Sequence, residues 1–284
     1  MYEIKKKIQK ELTTLEITNN NIGFKACICL DQGARLKTLV LNNKNLIKEN
    51  NNFTYKDSFA SAILFPFSNR IYKGTYQFRD KKYILNCNES NKDNAIHGLI
   101  YNKLFQLKKI KRKKSNISIT FFYDQKREVK GFPFTYNIAV KYTFNKKGMS
   151  LKLKIKNNSL GSFPFTVGWH PYFYSKSLLK SCIQFNEKIL PNKILKKSIK
   201  LKDKKFDDCY SLADNLILFK TPDYKMFLTS NSKKLFLQIY TPTHRNSIAI
   251  EPQTGISNSF NTKEGLQVLK PKEKYSINWK IQIT

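Results

Sequence analysis

Apolar and polar side chains alternate along much of this chain, the period of a β-strand with one face buried. In Leu151-Lys152-Leu153-Lys154-Ile155-Lys156 the apolar residues fall on one side and the lysines on the other. Ile117, Ile119, Phe121 and Tyr123 repeat the pattern. Strands are accordingly predicted over residues 22–30 and 36–41, with Asp31-Gln32-Gly33 as the turn between them. Residues 76–78 and 82–85 flank the polar loop Arg79-Asp80-Lys81, and 134–144 and 149–156 form a hairpin across Asn145-Lys146-Lys147-Gly148. Further strands follow at 216–220, 226–230, 235–240, 247–251 and 275–283. Helical spacing is scarce, and only the opening segment and residues 175–180 read as short helices. Many closely spaced strands without alternating helices predict an all-β fold, a large antiparallel β-sandwich. No internal repeat or Pro-, Gly- or Ser-rich linker interrupts it, so a single domain over residues 1–284 is expected.

Composition agrees with a folded globule: Phe and Tyr number 21 and 15 while Gly numbers only 10. The formal net charge of +32 changes the picture more, because it suggests a nucleic acid, a membrane surface or an acidic substrate. Of the basic residues, however, only Arg35, Arg70, Arg79, Arg112, Arg127 and Arg245 are arginine, the side chain that grips phosphates and base edges as a fork. That argues against a nucleic-acid partner and for lysines on solvated strand faces. The runs 108–114 and 193–205 are where a basic patch could form. Five cysteines, Cys27, Cys29, Cys87, Cys182 and Cys209, show no framework spacing and no Cys-x-x-Cys pair. With no N-terminal signal pattern either, a reducing, cytoplasmic setting is expected. Cys27 and Cys29 read as strand residues, with a metal pair as the alternative. No apolar run has the length of a membrane span.

Nucleotide-binding glycine motifs, His-Glu-x-x-His and Gly-x-Ser-x-Gly are all missing. What remains is a set of polar residues at the ends of apolar runs. Two of the three histidines stand there: His97 in Asn94-Ala95-Ile96-His97-Gly98, and His170 in Gly168-Trp169-His170-Pro171-Tyr172-Phe173. His244 reads as part of a surface turn. Histidine moves protons near neutral pH, although each one taken alone could be a satisfied structural residue. Asn69 and Arg70 end the apolar stretch from Phe65. Arg70 could pair a carboxylate or present its donors to sugar hydroxyls or a carboxylate ligand. Glu251 ends an apolar strand before Pro252, where it is either solvated or a general base with a raised pKa. Asp207 and Asp208 form an acidic island that is either a turn or cap, or a grip for hydroxyl groups.

These pieces, in order, resemble the aldose 1-epimerase (galactose mutarotase) family. The matching segments are Gly33-Ala34-Arg35-Leu36, Phe65-Pro66-Phe67-Ser68-Asn69-Arg70-Ile71, Asn94-Ala95-Ile96-His97-Gly98, Gly131-Phe132-Pro133-Phe134, Gly168-Trp169-His170-Pro171-Tyr172-Phe173, Phe206-Asp207, Ile239-Tyr240-Thr241-Pro242 and Ile250-Glu251-Pro252-Gln253-Thr254-Gly255. The resemblance spans residues 22–284 and implies a galactose mutarotase-like supersandwich with an open sugar cleft. It implies a small-molecule sugar as substrate and no cofactor or obligatory metal. It further implies His170 as the acid that protonates the ring oxygen and Glu251 as the base that takes the anomeric hydroxyl proton. His97 becomes a second donor, and Arg70, Asn69 and Asp207 hold hydroxyl groups. On that reading acid and base stand on opposite sides of the anomeric centre. A hexose 6-phosphate substrate and a non-catalytic carbohydrate-binding protein on the same scaffold are the alternatives. Nothing in the sequence sets the oligomeric state.

Overall fold

The computed structural model describes residues 1–49, 54–89, 92–191, 193–202, 204–243 and 246–284, and in it the alternating segments pair into antiparallel sheets. The first five strands, Glu3–Gln9, Leu12–Asn19, Phe24–Cys29, Arg35–Leu41 and Lys44–Ile47, form a meander in chain order. A larger sheet runs through Gln106–Arg112, Asn116–Gln125, Tyr136–Asn145, Gly148–Asn157, Lys274–Ile283, Lys225–Ser230 and Asp207–Lys220. It continues through Phe236–Tyr240, Ser247–Gln253, Gly168–Trp169 and Ile63–Leu64. The strand Asp207–Lys220 joins the two halves. Its second half pairs with Lys225–Ser230, and its first half, Asp207 to Ser211, pairs with Phe236–Tyr240.

Alternation sets what each face does. Ile117, Ile119 and Phe121, then Ile138, Val140 and Tyr142, then Leu151, Leu153 and Ile155 are all buried, and Lys141, Lys152, Lys154 and Lys156 are among the residues of the other side. Burying one such side chain contributes about 1.5–3 kcal/mol. The meander packs on this apolar face: Tyr142 donates its hydroxyl to the Ala34 carbonyl at 2.9 Å, and Phe24 sits between Tyr2 and Phe144 at 5.4 and 5.2 Å. Trp169 and Trp279, both fully buried, stand 6.4 Å apart in the core. The hairpin after Tyr136–Asn145 is closed by Asn145, whose Oδ1 accepts from Lys147 N at 2.8 Å and Gly148 N at 3.0 Å. Only glycine fits at 148, since a Cβ there would lie 1.9 Å from the Ile281 carbonyl oxygen.

The all-β antiparallel sandwich is therefore as expected, with local differences. The opening segment is a β-hairpin and not a helix: Ile4 and Ile8 mimic helical spacing, but Ile8 is exposed, while Leu15 and Ile17 bury one face at strand period. Between residues 175 and 180 only a 3₁₀ turn, Leu178–Lys180, forms. Asp207 and Asp208 are neither a turn nor a cap but begin a strand. The strand through Glu251 continues to Gln253. Residues 108–112 and 193–200 of the two lysine-rich runs lie on strands that, among the described residues, pair on one side, Gln106–Arg112 and Lys193–Lys200; Asp203 lies outside the described residues. Charge on an edge strand opposes pairing with another chain, which gives these lysines a role without an anionic ligand. Cys27 and Cys29 are buried residues of one strand. His244 lies outside the described residues.

Candidate active site

The strand Ser247–Gln253 forms the floor of the site. Ile248, Ile250 and Pro252 alternate with Ala249, Glu251 and Gln253, so two faces are separated by chain geometry alone. Register places Gln238 opposite Glu251 and Cys209 opposite Gln238, and Asp207 opposite Tyr240. Cross-strand partners share a face, so Asp207, Gln238, Tyr240 and Glu251 are grouped together.

His170 is presented by a break. Gly168 pairs with Gln253 and Tyr172 with Ala249, leaving His170 and Pro171 between the two short strands. The His170 backbone is held on both sides, its N–H donating to Ala62 O at 3.0 Å and its carbonyl accepting from Ser61 N at 2.8 Å. Its imidazole stacks on Tyr172 at 5.1 Å and meets His97 edge-on at 4.9 Å. His97 reaches this point because Arg70–Ile71 pairs with Ala95–Ile96 and because His97 N donates to Asn69 O at 2.9 Å. Asn69 and His97 both have positive φ, 56° and 63°. Gly98 follows at φ 78°, packed so closely that a Cβ would lie 2.3 Å from the Phe65 carbonyl oxygen.

All six residues singled out in the sequence, Asn69, Arg70, His97, His170, Asp207 and Glu251, line one cavity of about 710 Å³. Acid and base candidates do not face each other across it. His170 Nε2 is 3.3 Å from Glu251 Oε1, and the two are 5 % and 2 % exposed. Burial drives both toward their neutral forms, taking the imidazole down to about 4 and the carboxyl well above its usual range. The nearby charge of Asp207 adds to the rise at Glu251, and Arg70 opposes it. His97 is held well below the usual histidine range by burial, by His170 and by Arg70.

A hydrogen-bonded chain spans the cavity. Arg70 Nε and Nη2 each donate to Glu89 at 2.8 Å, Arg70 Nη1 donates to Asn69 Oδ1 at 3.3 Å, and Asn69 Nδ2 donates to Gln238 Oε1 at 3.4 Å. Gln238 Nε2 then donates to Asp207 Oδ1 at 2.8 Å. Much of the Arg70 fork is thus spent on Glu89, which also accepts from Asn94 Nδ2 at 2.8 Å. Two of the five guanidinium N–H groups have no partner among the described residues. Gln238 and Glu89 were not among the sequence candidates. Gln238 sits inside an apolar strand where only register links it to Glu251, and Glu89 lies in a loop with no pattern.

A family model described as aldose 1-epimerase matches residues 14–282. An uncharacterised protein of Escherichia coli, YihR, is 22 % identical over 275 residues, covering 88 % of this chain and 87 % of that one. The crystal structure of a galactose mutarotase-like protein from Clostridium acetobutylicum superposes with a TM-score of 0.83 at 23 % identity, over 99 % of this chain and 98 % of that one. That of a galactose 1-epimerase from Lactobacillus acidophilus gives a TM-score of 0.78 at 14 % identity, over 100 % and 98 %. At these identities the two structures speak to the shared fold.

Proposed function

Because the chain belongs to the aldose 1-epimerase family, we propose that it interconverts the α and β anomers of a free, unphosphorylated aldose by acid and base ring opening and closure. The observation that carries this reading is the buried contact of 3.3 Å between His170 Nε2 and Glu251 Oε1 at the wall of the cavity. The ring oxygen and the anomeric hydroxyl oxygen are attached to the same carbon, so a neighbouring acid and base reach both. His170 gives a proton to the ring oxygen as Glu251 takes one from the anomeric hydroxyl. The C1–O5 bond breaks and the aldehyde forms. Rotation about C1–C2 and the same transfers in reverse close the other anomer.

The proton count is conserved within the pair. Ring opening converts imidazolium and carboxylate into imidazole and carboxylic acid, and closure restores them. Burial favours the second state, so hydrogen bonds from the sugar hydroxyls must stabilise the charged state while the ring is intact. Neutral His97 supplies a further N–H beside the ring oxygen, and Asn69, Arg70 and Asp207 hold the remaining hydroxyls. A hexose 6-phosphate is disfavoured, since the cavity wall offers Lys56 and Arg70 as cations and Arg70 is already paired with Glu89. Five free cysteines suit a reducing cytoplasm.

Polarimetry or anomer-resolved NMR on freshly dissolved glucose and galactose tests the activity. Catalysed equilibration is expected. A folded His170→Ala protein should lose roughly two to four orders of magnitude in kcat, and His97→Ala about one. A His170→Ala protein as fast as the wild type would remove His170 from the acid role, and sugar affinity without acceleration would favour a carbohydrate-binding protein.

A further inference from the structure

The charge of the cavity is opposite to that of the chain. The sequence carries a net charge of +32, yet among the described residues Asp57, Glu89, Asp93, Asp207 and Glu251 line the cavity against Lys56 and Arg70. A groove on the outer face of the large sheet shows the contrast, lined by Lys141, Lys152 and Lys280 and by no acidic residue. Arg70 and Glu89 cancel as an ion pair at 2.8 Å. Among the described residues Asp57, Asp93 and Asp207 have no ion-pair partner, so carboxylates outnumber cations on the wall even when Glu251 is protonated. His97 and His170, 7 % and 5 % exposed, also line the cavity, and their Nδ1 atoms are buried without a hydrogen-bond partner among the described residues.

We propose that this cavity prefers aldoses bearing a protonated amine, the amino sugars, over neutral aldoses of the same shape and over phosphorylated ones. The inference rests on the sugar-epimerase reading above and deepens it. Asp207 is the central residue. One of its oxygens accepts from Gln238 at 2.8 Å, its other oxygen has no partner among the described residues, and it shares its face with Tyr240 and Glu251. An ammonium on the sugar would meet this carboxylate with three donors, and its charge would relieve the repulsion between Asp207 and a Glu251 carboxylate. A cleft of one sign with low-dielectric walls favours the oppositely charged ligand at contact distance, while the surrounding positive surface opposes its approach until salt screens the distant lysines. Carboxylates also accept protons from neutral hydroxyls, so the test has to isolate charge from hydrogen bonding.

Glucosamine, N-acetylglucosamine, glucose and glucose 6-phosphate form the series, assayed by anomer-resolved NMR about one unit below the ordinary α-amino pKa so that the amine holds its proton. At about 0.15 M ionic strength, where a Debye length of about 8 Å screens the distant lysines but not the cavity wall, kcat/KM for glucosamine should exceed that for glucose and N-acetylglucosamine by roughly tenfold. Salt added beyond that level should lower the glucosamine value, leave both neutral sugars unchanged and raise the phosphate value. Asp207→Asn and Asp93→Asn should each reduce the ratio of glucosamine to glucose, whatever they do to absolute rates. Equal kcat/KM for glucosamine and glucose with no salt dependence for either would overturn the proposal while leaving the epimerase reading intact. If no sugar is accelerated the epimerase reading fails instead, and calorimetric Kd values for the same series, with the same order and salt dependence expected, still decide the charge preference.

Discussion

At the scale of single residues the proposed chemistry rests on two groups whose environments push them toward neutrality. Glu251, with its folded pKa raised, contributes stability below the ordinary carboxylate range that is lost as pH rises through the folded value. His170, depressed from 6.5 to about 4, contributes stability present above 6.5 and lost as pH falls through about 4. Glu251→Gln keeps the size of the side chain without a charge to bury. Its melting temperature should equal or exceed that of the wild type at neutral pH and stay flat where the wild type declines on the alkaline side. Its kcat should fall by roughly two to four orders of magnitude. In the wild type, kcat/KM should hold a plateau while the pair keeps one transferable proton, dropping at low pH as His170 and Glu251 are both protonated and at high pH as the proton is lost; a single ordinary histidine titration near 6.5 would contradict this coupling. Five of the six residues stood out in the sequence because a polar side chain has few reasons to end an apolar run, and Asp207 because an acidic pair follows a lysine-rich stretch. Gln238 and Glu89 did not, since one is hidden inside a strand and the other in an unpatterned loop.

At the scale of elements, short and interrupted strands do the positioning. The break between Gly168–Trp169 and Tyr172–Tyr174 turns His170 out of the ladder, and the two-residue pairing of Arg70–Ile71 with Ala95–Ile96 sets Asn69 beside His97. Gly98 is the tightest point of that arrangement. Gly98→Ala adds a Cβ both at positive φ and 2.3 Å from a carbonyl oxygen, so it should cost at least 1 kcal/mol in denaturant unfolding and displace His97, lowering kcat more than its stability loss explains. Long strands such as Tyr136–Asn145 were readable from alternation, because their faces differ over many residues. The opening hairpin was not: its first strand is almost wholly exposed, so no buried face wrote a period into it.

At the scale of the whole molecule, charge and packing are handled separately. Many lysines lie on solvated faces and edge strands, where charge opposes edge-to-edge strand pairing, and a net charge of +32 makes the folded state repel itself. Raising ionic strength from about 0.01 to about 0.3 M shortens the Debye length from about 30 Å to well under 10 Å. The melting temperature should therefore rise over that range with a neutral salt, and an unchanged or falling value would show that the lysines are already compensated. The sequence by itself determined the class of fold and which side chains could carry chemistry, because alternation is a local property of a strand and an out-of-place polar residue is visible from its neighbours. Tertiary structure alone decided that His170 and Glu251 touch, that Arg70 is spent on Glu89, and that the cavity of a basic chain is acidic. Each depends on cross-strand register and on which faces point inward, and those are relations between residues far apart in the chain.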